Sequence, residues 1–173
     1  MRALVTALIL SLLAVPSAWA QATGTAEDNL KLKGITLPPL ATPVANYVPA
    51  VRVGNLLFVS GTGPSQSTPR GKVGTDLSLE QGYLAARTTG LNVLATVRAT
   101  LGSLDKVKRI VKVLGMVNSA PGFTDQPKVI NGFSDLMVDV FGEAIGKHAR
   151  SAVGMAELPF NISVEIEVIV EVE

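Results

Sequence analysis

Ile162-Ser163-Val164-Glu165-Ile166-Glu167-Val168-Ile169-Val170-Glu171-Val172, near the carboxyl end, alternates with a period of two. Ile162, Val164, Ile166, Val168, Val170 and Val172 fall on one face of an extended strand, and Glu165, Glu167, Ile169 and Glu171 on the other. The first face needs a covering layer, so the strand belongs to a sheet with helices packed on one side. Ile169 among the carboxylates implies that the second face is partly covered as well. No element of the chain is left to cover it, which points to association of subunits through the open sheet.

The covering helices are readable upstream. Val129, Ile130, Phe133, Leu136, Met137, Val140 and Phe141 recur at three- and four-residue spacing. Asp125 can cap this helix, Pro127 suits its first turn, and Gly142 should close it. A second helix starts at Ser78, where Ser78 and Gln81 form a capping box, and runs with Leu84, Leu91, Leu94 and Leu101 as its stripe. Gly82 and Gly90 weaken it but permit close packing on a sheet, and Gly102 is placed to end it in a left-handed conformation.

Val48 to Ser60 reads as a hairpin turning at Gly54-Asn55, and Lys106 to Asn118 as a long strand. Ser65 to Gly74 reads as an exposed, turn-rich loop, and Gly146 to Met155 as loop passing into strand. The order is β-β-α-β-α-β-β, a two-layer α+β domain. Gln21 to Thr36 is polar and without sustained period, so residues 21–42 are expected to form a flexible arm, with docking onto a neighbouring subunit as the alternative, and residues 43–173 the domain.

Residues 1–20 read as a secretory signal peptide. Arg2 precedes an apolar run from Ala3 to Val15, Pro16 breaks it, and Ala18-Trp19-Ala20 has the small-x-small form of a cleavage site. The run falls short of the roughly 20 residues that span a bilayer. A retained anchor is the alternative. Cleavage after Ala20 leaves a periplasmic or secreted chain that does not engage the membrane. Loss of Arg2 takes Lys+Arg from 15 to 14, against 14 Asp+Glu. A neutral chain without a basic cluster argues against a nucleic-acid partner. Cysteine is absent, which removes disulfides, thiolate catalysis and thiolate-bound metal.

Ala149-Arg150-Ser151, Leu158-Pro159 and Val164-Glu165-Ile166-Glu167 together resemble the C-terminal signature of the RidA family, also called YjgF, with older labels of L-PSP endoribonuclease. Pro43 to Tyr47-Val48, Val59-Ser60-Gly61, Ile110-Val111-Lys112 and Asn131 match in order, so the resemblance spans about Pro43 to Val172. It implies a chorismate-mutase-like fold, a homotrimer around a central barrel and ligand clefts between subunits. It also implies hydrolysis of small 2-imino or enamine acids to 2-oxo acids and ammonia, with no metal or organic cofactor.

On that resemblance Arg150 holds the substrate carboxylate and Glu165 positions the hydrolytic water. Tyr47, Ser60, Gly61 and Asn131 line or support the cleft. A guanidinium fork suits a carboxylate, and a carboxylate whose pKa is raised by burial suits proton abstraction. The ordinary alternatives are an Arg150 paired with Glu165 or Glu167, a solvated Glu165, a half-buried core Tyr47 and an Asn131 that serves packing only. This chain departs from the family in having Ala152 where a cysteine is frequent and Ser134 where an aromatic is frequent.

The remaining chemistry is thin. His148, the only histidine, reads either as a titrating group at the cleft rim or, more ordinarily, as an exposed loop residue. One histidine and no cysteine do not make a usual zinc site, and no nucleophile elbow or P-loop is present. Asp135 and Asp139 read as a solvated helix face. Three functions stand: a trimeric deaminase, a non-catalytic or holdase-like trimeric binder of small carboxylates, and, from the older family label alone, an endoribonuclease.

Overall fold

The protein is described from a computed structural model that covers residues 24–40 and 45–173. The proposed leader, residues 1–20, lies outside them. Helix α1 (Ala26–Leu32) leads to hairpin β1 (Ala50–Val53) and β2 (Leu56–Thr62), then α2 (Leu79–Leu101) and β3 (Val107–Asn118). Helix α3 (Gln126–Gly146), β4 (Ala149–Met155) and β5 (Val164–Val172) complete the chain. The sheet order is β1-β2-β5-β3-β4. Only β3 and β4 pair parallel, with α3 as their crossover, so the sheet is mixed.

Strand β5 alternates as its sequence dictates: Val164, Ile166, Val168, Val170 and Val172 are buried against the helices. They meet Leu57 and Val59 of β2, Val113 and Val117 of β3, and Val129, Ile130, Phe133, Leu136 and Met137 of α3 in one core. The hairpin turns where expected, with Gly54 alone at positive φ (60°). Ser78 and Gln81 form the capping box of α2, and Gly102 ends it at φ 83°.

The two long helices meet through small residues. A Cβ on Gly132 would overlap the carbonyl oxygen of Tyr83, and one on Gly90 would lie 2.8 Å from Leu136 Cδ2. These glycines therefore serve helix–helix contact rather than contact with the sheet. The buried face of α2 carries Ala85, Ala86, Thr89, Val93, Leu94, Ala95 and Val97, while Leu84 is 51% exposed. Of the leucine stripe, Leu94 and Leu101 are buried and Leu91 packs on the core, while Leu84 turns outward because α3 packs on alanine and glycine at this end. Gly142 (φ 74°) breaks α3, which then resumes to Gly146.

Two segments differ from expectation more substantially. Within the expected arm, α1 is capped by Thr25 and Asp28 and buries Ala26, Asn29 and Leu30. Asn29 Nδ2 donates to the Val140 carbonyl at 2.8 Å, and Lys33 meets Asp139 at 2.9 Å. Burial acts to raise the Asp139 pKa, but Lys33 and Arg87 (3.2 Å) outweigh it and hold the carboxyl below its ordinary value. Asp139 is therefore a clamp on α1 rather than part of a solvated face, and the folded body begins well before residue 43. The loop before α2 is also anchored: Val73 is fully buried, and its N–H donates to the Asn118 carbonyl at 2.8 Å.

The sheet face away from the helices stays uncovered in one protomer. Phe58 pairs with Ile169 across β2 and β5, and Leu114 and Met116 of β3 stand beside Glu167 and Glu165. Phe58 is 42% exposed.

Candidate functional site

The candidate residues form two groups. The first sits where the start of β4 crosses α3. Arg150 is in register with the buried Val113, so its side chain rises on the helix side of the sheet. Asn131 and Ser134, three residues apart, share one face of α3 and meet it there. Arg150 Nη1 donates to Asn131 Oδ1 at 2.9 Å and to Ser134 Oγ at 2.9 Å. Both Nη1 hydrogens are thereby used. Nε and Nη2 have no partner among the described residues, nor does any salt bridge there include Arg150. The guanidinium is anchored along one side by neutral groups and keeps a charged, two-donor edge for a carboxylate. It pairs with neither Glu165 nor Glu167.

His148 extends this group. Its ring is half-buried and stands edge-on to Phe133, with centroids 6.1 Å apart. Nδ1 lies 2.6 Å from the Gly146 carbonyl and Nε2 lies 3.0 Å from Ser134 Oγ. The reading as an exposed loop histidine is therefore replaced. Burial depresses the His148 pKa; the Gly146 carbonyl opposes this, and the Arg150 charge adds to it. Sequence reasoning treated Ser134 only as a missing aromatic. The signal that could have found it was the Asn131-x-x-Ser134 spacing on one helix face, opposite His148-x-Arg150.

The second group lies at the far end of β2. Tyr47, Ser60 and Gly61 line a cavity of about 240 Å³ together with Pro39, Pro49 and Asn92. Ser60 Oγ donates to the Val48 carbonyl at 2.7 Å, which ties the Tyr47 segment to the strand. Tyr47 is 51% exposed, so it is no core residue. Glu165, on the open face of β5, lies directly over Gly61. Burial, and then the charge of Glu167, raise the Glu165 pKa above its ordinary value.

One protomer does not bring the two groups together. Strands β2 and β4 are separated by β5 and β3, three spacings or roughly 14 Å. Arg150 also rises on the helix side, whereas Glu165 lies on the open side. Among the described residues no cluster of His, Cys, Asp or Glu is arranged to hold a metal ion.

A mixed sheet with two long helices on one face defines a chorismate-mutase-like α+β domain. The family model described as "YjgF/chorismate mutase-like, putative endoribonuclease" matches residues 27–172, and the chain belongs to this YjgF (RidA) family. Protein TCP17 of Trypanosoma cruzi is 46% identical over 153 residues, covering 87% of this chain and 96% of that protein. A 2-iminobutanoate/2-iminopropanoate deaminase of Dermatophagoides farinae is 34% identical, covering 82% and 98%. Among solved structures, Atu1372 of Agrobacterium tumefaciens, of unknown function, is 47% identical with a TM-score of 0.77, covering 86% and 92%.

Proposed function

We propose that this chain is a hydrolytic deaminase of small 2-imino or enamine acids, working in clefts completed by a second copy of itself. The observation that carries the reading is the open Nε/Nη2 edge of Arg150, held in place by Asn131 and Ser134. A substrate carboxylate on that edge fixes the adjacent C=N carbon for attack. Water adds to this carbon as Glu165 accepts its proton; the nitrogen is protonated and leaves as ammonia, and the 2-oxo acid remains. The raised pKa of Glu165 suits it to that exchange. Its separation from Arg150 within one protomer, together with the exposed apolar side chains of the open face, supports a homotrimer whose neighbour supplies the Tyr47–Ser60–Gly61–Glu165 group. The relative named as an imine deaminase supports the chemistry.

Ammonia and 2-oxo acid release from freshly generated iminopropanoate and iminobutanoate tests the proposal. Wild type should turn over, and Arg150→Ala should not. Turnover that survives Arg150→Ala overturns the assignment, as does a chain that stays monomeric in solution. A second reading, a non-catalytic or holdase-like carboxylate binder, is favoured by the distance of Glu165 from Arg150. It predicts Arg150-dependent binding without turnover. Endoribonuclease activity draws no support from a near-even balance of 15 Lys+Arg against 14 Asp+Glu.

A further inference from the structure

Around Ser134 every hydrogen is accounted for. The Gly146 carbonyl can only accept, so His148 Nδ1 carries the ring hydrogen in the bond at 2.6 Å. In the neutral ring Nε2 is then a bare acceptor, and the Ser134 hydroxyl hydrogen points to it across 3.0 Å. Arg150 Nη1 donates to one lone pair of Ser134 Oγ at 2.9 Å. A single lone pair remains, beside the guanidinium. Toward a ligand, Ser134 can accept but cannot donate.

We propose that Ser134, its hydrogen committed to His148, makes the site selective for small carboxylates that carry a hydrogen-bond donor on the carbon next to the carboxylate. An imine N–H or a hydroxyl there meets the free lone pair. A 2-oxo group offers only lone pairs of its own and meets it with repulsion. The same device favours substrate over product in the proposed reaction, since hydrolysis replaces an N–H donor by a carbonyl oxygen. The inference rests on the carboxylate grip of Arg150 and not on turnover. His148 is here a positioning residue, and Ser134 is the group that touches the ligand.

Protonation of His148 inverts the arrangement. Nε2–H then donates to Ser134 Oγ, Arg150 donates as before, both lone pairs are engaged, and the serine hydrogen is released toward the ligand. Arg150 on β4 is the charged group that bears on the ring. Phe133 and Ser134 face it from α3, and Lys147 is engaged by Glu143 at 2.7 Å.

The test is calorimetric binding of 2-hydroxybutanoate (the better-bound enantiomer) and 2-oxobutanoate to the full chain. At about pH 8, with the imidazole neutral, the hydroxy acid should bind about fivefold tighter, the worth of one hydrogen bond. Ser134→Ala, with Arg150 still held by Asn131, should bind both acids more weakly and bring their ratio to about one. In wild type the oxo acid should become the better ligand only once pH falls through the His148 pKa, which burial and Arg150 hold below its ordinary value. Equal binding at high pH, a preference that survives Ser134→Ala, or a ratio that stays fixed while NMR shows the imidazole protonating overturns the inference. Arg150→Ala reports separately on the grip: undiminished binding in that variant overturns the grip itself. Wild type that binds neither acid overturns both.

Discussion

Gly61 lies beneath the Glu165 carboxylate so closely that a Cβ at position 61 would overlap Oε1. Position 61 therefore decides where that carboxylate stands. The overlapped atoms are the end of a flexible side chain, so Gly61→Ala should fold with a stability loss below about 1 kcal/mol. Glu165 should be pushed off its place, and turnover should fall on the order of 10-fold or more. Carboxylate binding at Arg150 should be retained. Calorimetry and the deaminase assay together separate the two effects.

Arg150→Lys keeps the charge and removes the fork. An ammonium cannot be anchored by both Asn131 and Ser134 while offering a two-donor edge. Affinity for 2-oxobutanoate should fall at least about 10-fold, in line with loss of a charge-assisted hydrogen bond. Arg150 makes no ion pair among the described residues, so thermal melting should shift little. A lysine variant with full affinity would contradict the bidentate grip.

The raised pKa of Glu165 has a stability consequence with a definite sign. The folded state holds this proton to higher pH than the unfolded state. The contribution is fully present below the ordinary carboxylate range and is lost as pH rises through the raised value. Glu165→Gln carries no such loss. Its melting temperature should match wild type at about pH 3 and exceed it at about pH 8. Equal melting of the two proteins across this range would show that burial does not strain the carboxylate.

Gly132 tests the helix layer. Its Cβ would meet the Tyr83 carbonyl oxygen, and Arg87 N at 3.1 Å, backbone atoms that cannot rotate away. Gly132→Ala should force α2 and α3 apart and cost about 1–3 kcal/mol or more, despite the gain in helix propensity. Urea unfolding checks this. A variant as stable as wild type would mean that the helices slide freely.

What the sequence disclosed was local in origin. The alternation of β5, the glycine turn at Gly54 and the Ser78–Gln81 box each depend on residues within a few positions of one another. Helix α1 escaped notice because its seven residues are too few to display a period, and its hold depends on remote partners such as Val140 and Asp139. The parallel pairing of β4 with β3 left no local trace either. At the site, Arg150 and Asn131 were legible through family motifs. Ser134 and His148 were not, because their meaning comes from hydrogen bonds formed only when β4 crosses α3.

Strand β5 follows every other strand in sequence and yet lies between β2 and β3, in the middle of the sheet. Until it arrives, the β1–β2 hairpin and the β3–β4 pair have no common neighbour, and the core lacks the buried row from Val164 to Val172. The domain therefore cannot mature during synthesis until β5 has left the ribosome. Closure awaits β5 and then joins segments over a hundred residues apart, a slow, non-local step. Loss of β5 would leave two unjoined half-sheets.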